Sequence, residues 1–162
     1  MQQPQVTPLQ EQSIVVARIM GVPEKLLYRL AEVESDWNPW ATRFEPLFSR
    51  RTKENTGRGG TTLETENIHQ ATSWGLCQIM GYTARRIGWE GPIPALLDPV
   101  SNLRYACLYL NQLYEDPRGR HSWRWAVTAY NHGEEWEERG PKWFRNGYTA
   151  KFNDVLSAMG EA

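Results

Sequence analysis

Residues 23–40 read PEKLLYRLAEVESDWNPW. Leu26, Leu27, Leu30 and Val33 recur at the three-and-four spacing of one helix face, with charged residues between them. Pro23 falls in the first turn, where its missing N–H does no harm. The spacing predicts a helix over 23–34 that buries the leucines and stops at Glu34, before Ser35, Asp36, Trp37, Asn38 and Pro39. A carboxylate there lies near the negative end of the helix dipole, and partial burial beside Trp37 and Trp40 adds a desolvation penalty. Both disfavour ionisation, which makes Glu34 a candidate for an acid that keeps its proton near neutral pH. A solvated, inert helix-terminal glutamate is the competing reading.

Before this helix, residues 10–20 (QEQSIVVARIM) carry helical periodicity and end at Gly21, behind a Gln- and Pro-rich flexible leader over 1–9. After it, the period lapses over 41–70. Asn55, Gly57, Gly59 and Gly60 point to a polar excursion with a short β-hairpin around 50–65. Such an insertion is a natural wall for a cleft. Residues 73–80 (SWGLCQIM) read as a return to helix, continued over 83–87, and 89–97 form a Gly/Pro loop. Asp98-Pro99 open a strong helix with a stripe of Leu103, Ala106, Cys107, Leu110 and Leu113. Residues 122–131 give another, ended at Gly133, and 143–159 hold the last. The expected fold is mainly α, a single domain over 10–162 with one small β excursion.

With 162 residues the chain can bury a full core. A net charge of −1 gives no whole-molecule attraction to nucleic acid or to an anionic membrane. The basic stretch of Arg50, Arg51, Lys53 and Arg58 and the acidic one of Glu134, Glu135, Glu137 and Glu138 read as solvated faces. Cys77 and Cys107 sit in apolar contexts and read as packed, reduced thiols. The scattered His69, His121 and His132 lack zinc-ligand spacing, and no phosphate loop or dinucleotide fingerprint occurs, so neither metal nor cofactor is expected. The first residues lack the apolar core of a secretory signal, and no run approaches the ~20 apolar residues of a membrane span. Synthesis in a cytoplasm without a signal peptide, and no stable membrane association, are the expectations. Eight tryptophans exceed average usage, so two or three are expected to line a site and the rest to pack the core.

Four strings stand in order: Glu34-Ser35; Gly75-Leu76-Cys77-Gln78-Ile79-Met80; Asp98-Pro99 with Asn102-Leu103; and Ala129-Tyr130-Asn131-His132-Gly133. In this order and at these separations the chain resembles the Slt-type lytic transglycosylases of the goose-type lysozyme superfamily, across about two thirds of its length. The string Arg43-Phe44-Glu45-Pro46, before the polar excursion, is similar to phage-borne members. The resemblance implies a lysozyme-like fold whose β excursion walls a glycan groove. It implies Glu34 as the sole catalytic acid/base and Ser35 as its hydrogen-bonding support. Gln78 is implied as a contact to an N-acetyl sugar, Tyr130 as the tyrosine beside the scissile bond and Asn131 as its companion at the groove floor. Cys77 stands where the family usually carries methionine, so the groove contact expected there is shorter.

The implied reaction cuts the β-1,4 bond between N-acetylmuramic acid and N-acetylglucosamine without water. One carboxylic acid protonates the leaving oxygen and then accepts the proton of the C6 hydroxyl, closing a 1,6-anhydro ring. The partner is then the glycan strand of bacterial peptidoglycan, met by a monomeric enzyme. It would be released to the wall as a phage endolysin through a holin, or carried in a virion. Glu45 keeps a second reading open, since a carboxylate across a water-wide gap from Glu34 would make a hydrolytic muramidase. A salt bridge with Arg43 or substrate positioning are its other readings. Asp36, Glu64 and Glu66 read as solvated. A non-catalytic glycan-binding virion domain is the reading from another class, which the intact Glu34 argues against.

Overall fold

The computed structural model describes residues 6–46, 61–133 and 147–161. Helix α1 (Pro8–Met20) begins with a reciprocal cap between Thr7 and Gln10 and ends at Gly21 in the left-handed region (φ 71°). Pro8 and Leu9, expected in the leader, therefore belong to this helix. Helix α2 (Glu24–Ser35) follows, and Leu26, Leu27 and Leu30 are fully buried, as the periodicity predicts. Helix α5 (Pro99–Tyr114) starts where Asp98 accepts a hydrogen bond from the Ser101 N–H. Helix α6 (Trp123–His132) starts at Ser122. The Glu161 carboxylate also caps α6, accepting from the N–H groups of Trp123 (2.8 Å) and Arg124 (2.7 Å). The expected helix over 143–159 falls partly outside the described residues. What is described is a 3₁₀ turn, Thr149–Phe152, leading into α7 (Asn153–Ala158).

One core cluster joins α1, α2, α5 and the C-terminal segment through residues such as Leu30, Leu76, Leu110 and Phe152. A second lies between α5, α6 and the sheet, around Trp74, Ile79, Leu96 and Trp125. Cys77 and Cys107 are free, buried thiols in the first cluster. Among the described residues, no helix is long and apolar enough to cross a membrane.

The β structure differs from the expectation. Strands β1 (Thr42–Phe44), β2 (Thr72–Trp74) and β3 (Ile79–Met80) form an antiparallel sheet in the order β1-β2-β3, with Arg43 opposite Ser73 and Trp74 opposite Ile79. Residues 73–80 are thus two strands around a tight turn, not a helix. Gly75 (φ 69°) and Gln78 (φ 47°) both take left-handed backbone, which a right-handed helix does not admit. The expected hairpin around 50–65 lies mostly outside the described residues, as do the basic and acidic runs. From Leu63 the chain is already helix α3 (Leu63–Gln70).

Glu66, expected in solvent, is buried on α3. Its carboxylate pairs with Arg85 of α4 (Gly81–Arg86) at 2.6 Å and accepts from the Gln70 amide at 3.0 Å. Burial opposes that charge, yet the Arg85 guanidinium and the Gln70 amide hold Glu66 below the usual carboxylate range.

The turn after β2 is fixed by the fully buried Asn102 of α5. Its amide nitrogen donates to the carbonyls of Trp74 (2.7 Å) and Leu96 (2.8 Å), and its oxygen accepts from the Cys77 N–H (2.8 Å). The approach is so close that a Cβ on Gly75 would stand 2.4 Å from that amide nitrogen. Asn102→Leu keeps the branched shape but strands three buried backbone groups, each costing about 1–3 kcal/mol. We expect urea denaturation to show at least about 3 kcal/mol of lost stability, with an unchanged slope.

Candidate active site

Glu34 is the penultimate residue of α2 and is partly buried. The chain leaves the helix through two successive left-handed residues, Asp36 (φ 51°) and Trp37 (φ 62°). Neither is glycine, so each costs of order 1 kcal/mol. Packing offsets this. Trp37 lies against the main core and meets the Tyr28 ring at 4.7 Å. The turn sends Trp37 inward and Trp40 outward, where it is 72% exposed.

The Glu34 carboxylate accepts a hydrogen bond from the Tyr148 hydroxyl at 2.5 Å. Burial pushes the Glu34 pKa above the usual carboxylate range, and the Tyr148 hydrogen bond and the charges of Arg43 and Lys151 only partly offset it. Among the described residues no second carboxylate is one of the groups that shift this pKa. Burial and the negative charge of Glu34 push the Tyr148 phenol well above its ordinary value, so it stays a donor. Tyr148 was not singled out by sequence reasoning. Its only mark was an aromatic after Gly147, beyond the motif strings, and its partner lies 114 residues away.

Tyr130 donates to the carbonyl of Cys77 at 2.8 Å and packs on Tyr109. Burial, with the neighbouring Cys77 and Glu34, raises its pKa well above normal and keeps it protonated. The charge of Glu34 is therefore felt at the Tyr130 phenol. Asn131 is exposed on the last turn of α6.

Two expectations need correction, those for Ser35 and Cys77. The Ser35 hydroxyl does not support Glu34 directly. It donates to the Leu76 carbonyl at 2.8 Å, with the Ala31 carbonyl at 3.1 Å, and so ties the end of α2 to the turn after β2. Cys77 makes no groove contact through its side chain, which is fully buried in the core with its thiol pushed well above the normal range by burial. Its backbone serves the site instead, through Asn102 and Tyr130. The Gln78 amide nitrogen is engaged internally, donating to the carbonyls of Ala41 (3.0 Å) and Gly75 (2.9 Å). Gln78 thus holds the start of β1 against the turn. Glu45 pairs with Arg43 Nε at 2.7 Å, at the end of β1. Among the described residues no cluster of three potential metal ligands occurs.

A mainly helical domain with a small antiparallel sheet, and one partly buried glutamate whose pKa is raised, defines a lysozyme-like fold. Residues 12–155 match the transglycosylase SLT domain, and the chain belongs to that family. It is similar in fold to a 70-kDa soluble lytic transglycosylase solved with bulgecin A, at 24% identity and a TM-score of 0.54, over 88% of this chain and 19% of that one. A second similar structure is the 70-kDa soluble lytic transglycosylase of Escherichia coli, at 20% identity and a TM-score of 0.53, over 86% of this chain and 18% of that one. The chain thus spans about a fifth of the length of these relatives. No curated protein matches it.

The raised pKa has a consequence for stability. A group with a folded pKa above its unfolded value favours the fold when neutral. That contribution is full below the unfolded carboxylate range and is lost as pH rises through the folded value. Glu34→Gln stays neutral at every pH and can still accept from Tyr148. At pH 7 it should melt a few degrees above the wild type, and the gap should close as pH falls toward about 4, as calorimetry across pH would show.

Proposed function

We propose that this chain is a peptidoglycan lytic transglycosylase in which Glu34 is the only general acid/base. Membership of the SLT family supports the reaction class. The single observation that carries the mechanism is the electrostatic setting of Glu34: buried, hydrogen-bonded to Tyr148, and shifted by no second carboxylate among the described residues. Glu45 is not among the groups that shift Glu34, which favours one carboxylate over the two of a hydrolytic muramidase.

In the proposed reaction protonated Glu34 gives its proton to the glycosidic oxygen as the bond from that oxygen to C1 of N-acetylmuramic acid breaks. The N-acetylglucosamine chain leaves as an alcohol. The N-acetyl group of the substrate steadies the cationic sugar. The Glu34 carboxylate then takes the proton of the C6 hydroxyl as its oxygen bonds to C1. The acid is restored, no water is consumed, and a 1,6-anhydro end results. Tyr148 stabilises the carboxylate between the two transfers, when the negative charge is largest. Ser35, Gln78 and Tyr130 act by fixing the end of α2, the start of β1 and the turn between them, and Asn131 lines the groove beside Tyr130. The likeness of Arg43-Phe44-Glu45-Pro46 to phage-borne members supports a phage endolysin or virion lysin acting on the host wall.

Digestion of purified peptidoglycan followed by mass spectrometry tests the reaction. Wild type should release muropeptides lighter by one water than their reducing counterparts, and Glu34→Gln should release essentially none. Reducing ends would assign the muramidase. Tyr148→Phe removes a charge-assisted hydrogen bond of about 1.5–3 kcal/mol, so kcat should fall about ten- to a hundredfold. Because that bond lowers the Glu34 pKa, its loss should move the alkaline limb of the pH–rate profile to higher pH. An unmoved limb would remove Tyr148 from the proton chemistry.

A further inference from the structure

Two cations stand within electrostatic reach of Glu34: Arg43 on β1, and Lys151 one turn beyond Tyr148 in the Thr149–Phe152 segment. The first proton transfer does not call for them, because a positive charge near the acid favours loss of the proton that must be donated. Nor does the fold need Arg43. Its side chain is 68% exposed, and its Glu45 partner is 40% exposed. Ion pairs in such settings contribute about 0–1 kcal/mol, so the bond to Glu45 can be exchanged at little cost. The strand is nevertheless held firmly. The Ala41 carbonyl, at its start, accepts from the Gly75 N–H and the Gln78 amide, and the Glu45 N–H, at its end, donates to the Ala71 carbonyl. Strand alternation puts Arg43 and Glu45 on one face of β1, with Thr42 and Phe44 on the other. The same turn that holds Ser35, at the end of α2, also holds Ala41, so a rigid strand presents an exposed guanidinium close in the fold to the end of α2, screened by an exchangeable carboxylate.

We propose that Arg43 is a specificity residue that exchanges Glu45 for a carboxylate of the peptide stem on the N-acetylmuramic acid unit being cut. This rests on the peptidoglycan reading above. In that polymer the muramic acid lactyl group carries a peptide with free carboxylates, next to the bond that Glu34 must reach. The planar guanidinium suits carboxylate recognition. A carboxylate seated there also neutralises one of the charges acting against the Glu34 proton. Glu45 is then a competitor for Arg43, which keeps the site closed to weaker anions.

The test compares glycan strands of matched length with stems intact or removed by an amidase. Wild type should show a KM several-fold to about tenfold higher on stripped strands, since a charge-assisted hydrogen bond of about 1.5 kcal/mol corresponds to a factor of ten. Arg43→Gln should bring that ratio toward one. Glu45→Gln removes the competitor and should lower KM on stem-bearing strands, widening the ratio. Opposite movement of the two variants is what a purely structural pair would not give. Far-UV circular dichroism confirms that both fold. Equal KM on the two substrates for wild type, or an undiminished ratio in Arg43→Gln, would overturn the inference while leaving the glycan-cleaving reading intact. Failure of wild type to cut either substrate would overturn both.

Discussion

The side-chain amide of Asn102 holds the site together. It is the buried bracket to which the turn after β2 is fixed, and the remaining functional contacts hang from that turn. Ser35 reaches the Leu76 carbonyl and Tyr130 reaches the carbonyl of Cys77, so α2 and α6 both take their positions from the same short piece of backbone. Gln78, two residues further on, extends the bracket to the start of β1. None of these polar groups needs to touch a ligand to matter. A buried network with every member satisfied fixes one geometry, and a partly satisfied one does not.

Glu34 itself is held between opposing influences. Burial keeps the proton on, while Tyr148, Arg43 and Lys151 favour releasing it. In the proposed reaction Glu34 acts first as acid and then as base, and so needs both. Too strong a burial penalty would make the carboxylate too costly to form, and too much positive charge would leave no proton to give. The positioning of a phenol donor on the carboxylate, and of cations on neighbouring elements, allows each influence to be adjusted without moving the acid.

Much of this was legible in the sequence, for physical reasons that differ by element. The stripe on α2, the Asp98 cap of α5 and the Ser122 start of α6 are local signals, and the structure bears them out. The stretch SWGLCQIM was misread as helix because a short apolar run does not distinguish a helix from buried strands. Its deciding feature, left-handed backbone at Gly75 and Gln78, comes from the distant Asn102. Sequence order implies a groove contact for the Cys77 side chain, whereas the core claims that side chain, and the Gln78 amide nitrogen anchors the start of β1. Glu66 reads as solvated in the sequence because its partner, Arg85, lies on another helix. Tyr148 escaped altogether, since only the folded chain brings residue 148 to residue 34.

That last pairing bears on how such a protein is made. The Tyr148–Glu34 bond spans 114 residues, so the loop it closes is nearly the whole domain. On a ribosome, α2 and its acid emerge long before the phenol that completes them. The segment carrying Tyr148 docks through Phe152 and Leu156 into the core and through Glu161 onto α6. The nascent chain therefore holds a carboxylate without its donor until almost all of the domain has left the exit tunnel. Completion of the Tyr148–Glu34 pair coincides with completion of the fold, and the two are one event in the life of the molecule.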